Sequence, residues 1–218
     1  MALSPLNSRP VTIVGTGSMA KLIGLTLAAR GGIVRIWGRR PHMAIEVKGF
    51  IDTQVPDLVT QRGGDYTVGS VEIYDDLALA IQGAGLVIET VSEDPQLKRS
   101  MMAELDRMAD PDAVISSNSS SIPVASYVDD LTSPDRVLNV HFHNPPYVNA
   151  VDLLSSGSTR PEIIEHLEAE LPKYGLVPFV STKPNAGFPF NRMMEAWFRE
   201  ALQIVADGAS TVEQVDGI

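Results

Sequence analysis

Residues Val11 to Arg40, VTIVGTGSMAKLIGLTLAARGGIVRIWGRR, switch periodicity in a way that few folds accommodate. Val11, Ile13 and Val14 read as a buried strand, Gly15-Thr16-Gly17-Ser18-Met19-Ala20 opens a helix, and Ile33-Val34-Arg35-Ile36-Trp37 is a second strand. A strand, glycine turn, helix and strand in so short a span form a βαβ unit, whose crossover makes the two strands parallel. The small residues have separate tasks. Gly15 permits the tight turn, Gly17 lets a pyrophosphate approach the backbone, and Ala20 lets the helix lie close to the strand. Unpaired amides and the helix dipole then favour an anion at the helix N-terminus.

This is the Rossmann dinucleotide fingerprint, with Ala20 at its last small position. Thr16, Ser18 and Met19 complete the loop over the nucleotide. The second strand ends at Gly38, where NAD-binding proteins carry an acidic residue for the adenosine ribose. An acidic side chain there would repel a 2′-phosphate, whereas Arg39 and Arg40 present charged forks for bidentate phosphate contact. The expected cofactor is NADP(H), with NAD(H) possible. The competing reading leaves Arg39 and Arg40 as solvated loop charges on a cofactor-free fold.

A net charge of -10 makes that arginine pair a local exception. So acidic a chain argues against nucleic acid or an anionic membrane as a partner. There is no cysteine, and hence no disulfide framework, thiol nucleophile or thiolate metal site. No apolar run reaches the ~18–20 residues of a membrane span, and the first ten residues, MALSPLNSRP, resemble no signal or transit peptide. A cytoplasmic location is the default expectation.

The alternation of strands and helices continues. Pro41 to Thr60 reads as helical and QRGGDYTVG as a turn; Val71–Tyr74 is a strand, Asp75–Ile81 a helix and Gly85–Val91 a buried strand. In Pro95–Met108, Leu97, Met101, Met102, Leu105 and Met108 recur at helical spacing, a core stripe rather than a ligand set. Strands at Ala113–Ser117 and Val137–Phe142 flank a short helix from Ile122 to Tyr127. An extended stretch at Val151–Leu154, a helix from Pro161 to Leu171, a strand at Val177–Val180 and a long helix from Gly187 to Gly208 complete the chain. The fold class is α/β, a doubly wound, mainly parallel Rossmann-type sheet over residues 1–186, followed by the start of a helical domain over 187–218.

Three polar segments follow strands, where open α/β sheets place ligands: SSNSSSIP at 116–123, HFHNPP at 141–146 and GFPFNR at 187–192. With the opening motif they resemble the L-3-hydroxyacyl-CoA dehydrogenase family, whose segments run SNTSS, HFFNP and GFxxNR in that order. The resemblance implies that His141 is the general base, Ser120 a substrate-binding serine and Asn191 an asparagine that polarises the carbonyl. It also implies a carboxylate that orients the imidazole. A one-residue deletion places Asp152 there, and an ungapped alignment places Leu153. Val91, Glu93 and Lys98 resemble the family's V-x-E…K segment near the nicotinamide ribose, with Asn118 and Asn144 adding hydrogen bonds.

Plainer roles stand beside these. Ser120 can cap the helix near Ile122, Asn191 can bond locally, His141 can be structural, and Lys98 alone reads as a solvated helix charge. His143, usually Phe in the family, suggests a metal pair with His141, but the sequence places no further ligand beside them and no metal is expected.

The leading expectation is an NADP-dependent oxidoreductase moving a hydride between the nicotinamide and a 3-hydroxy/3-keto acyl substrate. The alternatives are a silent NADP-binding or dimerisation module, and a dehydrogenase of a free hydroxy acid such as a sugar acid or a carnitine-like alcohol. Two departures from the family bear on this choice. The segment between the second and third strands is shorter than the family's helical hairpin, which clamps CoA. The chain also ends soon after entering the helical domain, so either it is a fragment or the apolar face of its last long helix pairs with a homodimer partner.

Overall fold

The computed structural model describes residues 3–62, 67–181, 183 and 188–217. The chain runs β1 (Val11–Val14), α1 (Ser18–Ala28), β2 (Ile33–Trp37), α2 (Pro41–Arg62), β3 (Ser70–Tyr74), α3 (Leu77–Ile81), β4 (Leu86–Glu89), α4 (Pro95–Met108) and β5 (Val114–Ser117). Three short 3-10 turns between residues 124 and 136 lead to β6 (Val137–Phe142), β7 (Ala150–Ser155), α5 (Pro161–Glu170), β8 (Val177–Ser181), α6 (Pro189–Ala206) and α7 (Val212–Asp216). The strands form one sheet in the order β3-β2-β1-β4-β5-β6-β7-β8. Its neighbours are parallel except β6 and β7. The order reverses direction at β1, and the crevice beside it is where such sheets take nucleotides.

Alternation along each strand splits the core in two. Val11, Ile13, Leu86, Ile88, Leu138 and Val140 face the side covered by α1, α2 and α5. Val14, Val87, Ile115 and Val137 face α3 and α4. On α2 the inward residues are Ala44, Val47, Ile51 and Val55, one helical face. That apolar stripe carries the helix past Pro56 to Arg62, beyond the expected end at Thr60. On α4 the methionine stripe is core at Met101 and Met102, but Met108 at the helix end is exposed.

Two local expectations change for identifiable reasons. The buried strand expected to reach Val91 stops at Glu89, because the Val91 amide donates to Glu89 Oε1 (2.6 Å) and turns the chain out of the sheet. The helix expected at Ile122–Tyr127 is a single 3-10 turn, Val124–Ser126; the Val124 amide is taken by Asn139 Oδ1 (2.8 Å). The proposed domain boundary at Gly187 and part of the QRGGDYTVG turn lie outside the described residues. No helix among the described residues is long and apolar enough to cross a membrane.

Candidate active site

At the carboxyl end of β1 a cavity of about 330 Å³ is lined by Gly15, Thr16, Gly17, Gly38, Arg39 and Arg40 on one side and by Thr90 and Val91 on the other. Gly15 has φ +137°, and a Cβ there would lie 2.8 Å from the Thr90 carbonyl oxygen. Gly17, the N-cap of α1, would meet nothing within 4 Å, so its backbone is open to a ligand. Gly15→Ala is expected to destabilise the fold by roughly 1–3 kcal/mol through backbone strain and to weaken dinucleotide binding. Calorimetric melting and nicotinamide fluorescence read the two effects, and wild-type values for both would show that the turn adapts.

Gly38 is not the open position that the sequence suggests. It is buried, and a Cβ would come within 2.5 Å of Thr16 Cγ2. Thr16 thus occupies the room that a side chain at this position would need, while Arg39 and Arg40 stand exposed at the cavity rim. Ser18 is exposed in the first turn of α1. Met19 borders a second, larger cavity.

That second cavity, about 510 Å³, shares Thr90 and Val91 with the first and is lined by Met19, Glu93, Lys98, Asn118, Ser120, His141, His143, Asn144 and Asn191. The three polar segments after β5, β6 and β8 therefore meet at one place. Asn118 Oδ1 accepts the Phe142 amide (2.8 Å), tying the end of β5 to that of β6. Asn144 takes φ +51°, a region that Asn tolerates, and its carbonyl accepts the amides of Tyr147 and Val148 to turn the chain back toward β7. Asn191 Nδ2 donates to the Ser120 carbonyl (3.2 Å), joining α6 to the loop after β5. The cap expected of Ser120 is not made, since the 3-10 turn begins at Val124 with no side-chain cap; instead Ser119 Oγ accepts the Ile122 amide (2.8 Å) within the loop and donates to Glu93. Ser120 is left exposed on the cavity wall.

Lys98 is a buried charge, not the solvated one its helical position suggests. Its side chain is 1% exposed, and Nζ donates to Glu89 Oε1 (2.9 Å) and the Val91 carbonyl (3.1 Å) while pairing with Glu93 Oε2 (3.2 Å). Glu89, fully buried at the end of β4, also accepts from Ser117 Oγ (2.6 Å). Burial raises the Glu93 carboxyl, but the hydroxyls of Ser119 and Ser121 and the Lys98 ammonium outweigh it and hold the group below the usual range. Tyr127, buried behind this network, is pushed well above an ordinary phenol, by burial first and by Glu89 and Glu93 in support. Glu89 and Ser119 escaped the sequence reading. Only an acidic residue ending an otherwise apolar strand hinted at Glu89.

His141 on β6 lies opposite Asp152 on β7 in register. Of the two aligned candidates, Leu153 lies opposite Val140 in the core of the other face, whereas Asp152 shares the face of His141. His141 Nδ1 is 3.5 Å from Asp152 Oδ2 and makes no hydrogen bond among the described residues. The shorter contact belongs to His143, whose Nε2 is 2.9 Å from the same oxygen. The Phe190 amide donates to Asp152 Oδ1 (3.2 Å). Burial raises the Asp152 carboxyl, but the two imidazoles and the Phe190 amide bring it below the usual value. The expectation that nothing joins the two histidines is therefore corrected: Asp152, on the next strand, reaches both.

The family described as 3-hydroxyacyl-CoA dehydrogenase, NAD binding domain, matches residues 10–183. The chain belongs to this dehydrogenase family. It is 28% identical over 211 residues to 5-formyl-3-hydroxy-2-methylpyridine 4-carboxylate 5-dehydrogenase of Mesorhizobium japonicum, covering 95% of this chain and 68% of that one. It is 30% identical over 212 residues to L-carnitine dehydrogenase of Bacillus cereus (95% and 64%), and 32% identical over 213 residues to 3-hydroxybutyryl-CoA dehydrogenase of Mycobacterium tuberculosis (94% and 74%). A solved structure of the pyridine carboxylate dehydrogenase, described as an NAD+ dependent dismutase, superposes with a TM-score of 0.83 at 26% identity, over 96% of this chain and 69% of that one. The chain thus spans about two thirds of the length of these relatives, all of them dehydrogenases, and the carnitine and 3-hydroxybutyryl-CoA enzymes act on CH–OH groups.

Proposed function

We propose that the chain is the catalytic dinucleotide domain of an NADP-dependent dehydrogenase acting on a 3-hydroxy/3-keto acyl substrate. The reading is carried by one observation: His141, backed in register by Asp152, opens onto a cavity that shares the wall residues Thr90 and Val91 with the glycine-lined cavity. The open backbone at Gly17, the turn at Gly15 and the N-terminus of α1 fit a pyrophosphate. A bound nicotinamide supplies a two-electron hydride acceptor or donor. The protein's part is the proton and the oxygen. His141, with Nδ1 turned to Asp152, uses Nε2 to take the hydroxyl proton as the alcohol becomes a ketone and to return it in the reverse direction. Ser120 and Asn191 hold the substrate oxygen, and Asp152 stabilises the imidazolium. Lys98, held by Glu89 and Glu93, fixes Val91 beside the cofactor.

The preference for NADP(H) rests on Arg39 and Arg40 at the rim and on Gly38, where no carboxylate opposes a 2′-phosphate. Titration with NADPH and NADH, followed by nicotinamide fluorescence, is expected to show tighter NADPH binding. Arg39→Ala/Arg40→Ala should lose about 1.5–3 kcal/mol per charged hydrogen bond removed, with little change for NADH. Equal binding of the two cofactors by the wild type would refute the preference and leave the dinucleotide site standing. The second reading, a free hydroxy-acid substrate, draws on the likeness to L-carnitine dehydrogenases. Turnover of acetoacetyl-CoA against free acetoacetate separates the two, and turnover of neither favours a silent module.

A further inference from the structure

The cluster formed by His141, His143 and Asp152 offers more than the proposed reaction asks of it. One imidazole and one carboxylate suffice to move a proton, yet three ligand-type atoms converge here, all within 4.8 Å of one another. Their placement follows from the sheet. Residues two apart along a strand project to one face, so His141 and His143 share a side, and Asp152 is the cross-strand partner of His141. The three side chains are 7%, 9% and 0% exposed, and the buried His141 Nδ1 has no hydrogen-bond partner among the described residues.

We propose that His141 Nδ1, His143 Nε2 and Asp152 Oδ2 form a binding site for a divalent transition metal of the zinc class. Two imidazole nitrogens and a carboxylate oxygen are a donor set that zinc accepts, with a fourth position left for water. Ligand atoms about 2.0–2.1 Å from a tetrahedral ion lie roughly 3.3 Å apart. The contacts of 3.5 Å and 2.9 Å to Asp152 Oδ2 bracket that spacing. The surroundings suit an ion as well. The Phe190 amide holds the other carboxylate oxygen, orienting the ligand from behind. Phe188 lies edge-on to His141 at 4.9 Å and Phe190 covers His143 at 4.0 Å, an apolar collar that limits water. The 510 Å³ cavity bordered by both histidines provides the way in and room for the fourth ligand.

Occupancy has a chemical consequence that rests on the proposed function. A neutral imidazole bound to metal through Nδ1 carries its one proton on Nε2, so that nitrogen can no longer accept the proton of an alcohol. The metal ion would therefore act as an inhibitor of alcohol oxidation, displacing Asp152 from its supporting role. Binding itself depends only on the three ligands.

The test titrates the metal-free protein with Zn²⁺ by calorimetry and with Co²⁺ by visible absorption, alongside His143→Phe and Asp152→Asn. Nicotinamide binding serves as the check that each variant is folded. The wild type is expected to bind one ion, with Co²⁺ bands of a low-coordinate nitrogen and oxygen site, and each variant to bind at least about tenfold more weakly. Absence of stoichiometric binding, or equal affinity in His143→Phe, would overturn the proposal, since His42 and His166 would then account for any uptake. A protein that binds zinc but turns over no substrate would retain this site and lose only the catalytic reading.

Discussion

His141→Gln is expected to lower turnover of a 3-keto acyl thioester by ~10²–10⁴-fold, the usual contribution of a positioned general acid or base, with nicotinamide binding close to wild type. The argument is geometric. The imidazole stands between the buried Asp152 carboxylate and the 510 Å³ cavity, and no other imidazole on β6 lies opposite that carboxylate in register. Glutamine keeps a hydrogen-bonding group of similar reach but cannot take a proton, so the loss should fall on the chemical step rather than on binding. His143→Gln discriminates. His143 touches the same carboxylate oxygen at a shorter distance, and if it were the working base, its variant would show the large loss instead. Steady-state rates in both directions, with cofactor affinity measured separately, decide between them; comparable activity in His141→Gln would remove His141 from the mechanism.

The parts of this site that are legible in the sequence are those fixed by neighbouring residues. Gly15, Gly17 and Ala20 are dictated by a turn, an open backbone and a close helix packing, all within one βαβ unit, and the sheet edge follows from strand periodicity. Asp152 was legible only as one of two alternatives. Choosing it over Leu153 requires the register of an antiparallel pair, a fact about two strands that no local pattern contains. The same pairing converts His143 from a residue merely two positions from His141 into a third member of a cluster. Lys98 shows the opposite failure. A helical wheel assigns a lysine to the solvent face, and nothing in α4 records that Glu89, at the end of a separate strand, meets it inside the protein. The bond to the Ile122 amide falls to Ser119 rather than Ser120 for a related reason, since a run of serines offers several equivalent hydroxyls and Glu93 selects among them.

Lys98→Ala should be the most damaging single change to stability in this region, costing ~3–5 kcal/mol, the range for removing one partner of a buried ion pair. The cost comes less from the lost attraction than from what is left behind. Glu89 is fully buried and would be left with Ser117 and the Val91 amide as its donors among the described residues. Native domains have roughly 5–15 kcal/mol in total, so such a loss threatens the fold at physiological temperature. With a urea slope of about 1–3 kcal/mol per molar, the midpoint should fall by at least ~1 M. The double variant Lys98→Met/Glu89→Gln tests the cause, because it removes both charges and nearly preserves volume. It should recover much of the stability that Lys98→Ala loses, as buried pairs replaced by uncharged groups commonly do. If the double variant were no more stable than Lys98→Ala, the stranded charge would not be the source of the loss. The packing of the lysine stem against α4 and Val91 would then carry it. Either result bears on the site through the same residue: Val91, whose carbonyl Lys98 holds, lies on the wall common to both cavities, so the ion pair that stabilises the end of β4 also sets the shape of that wall.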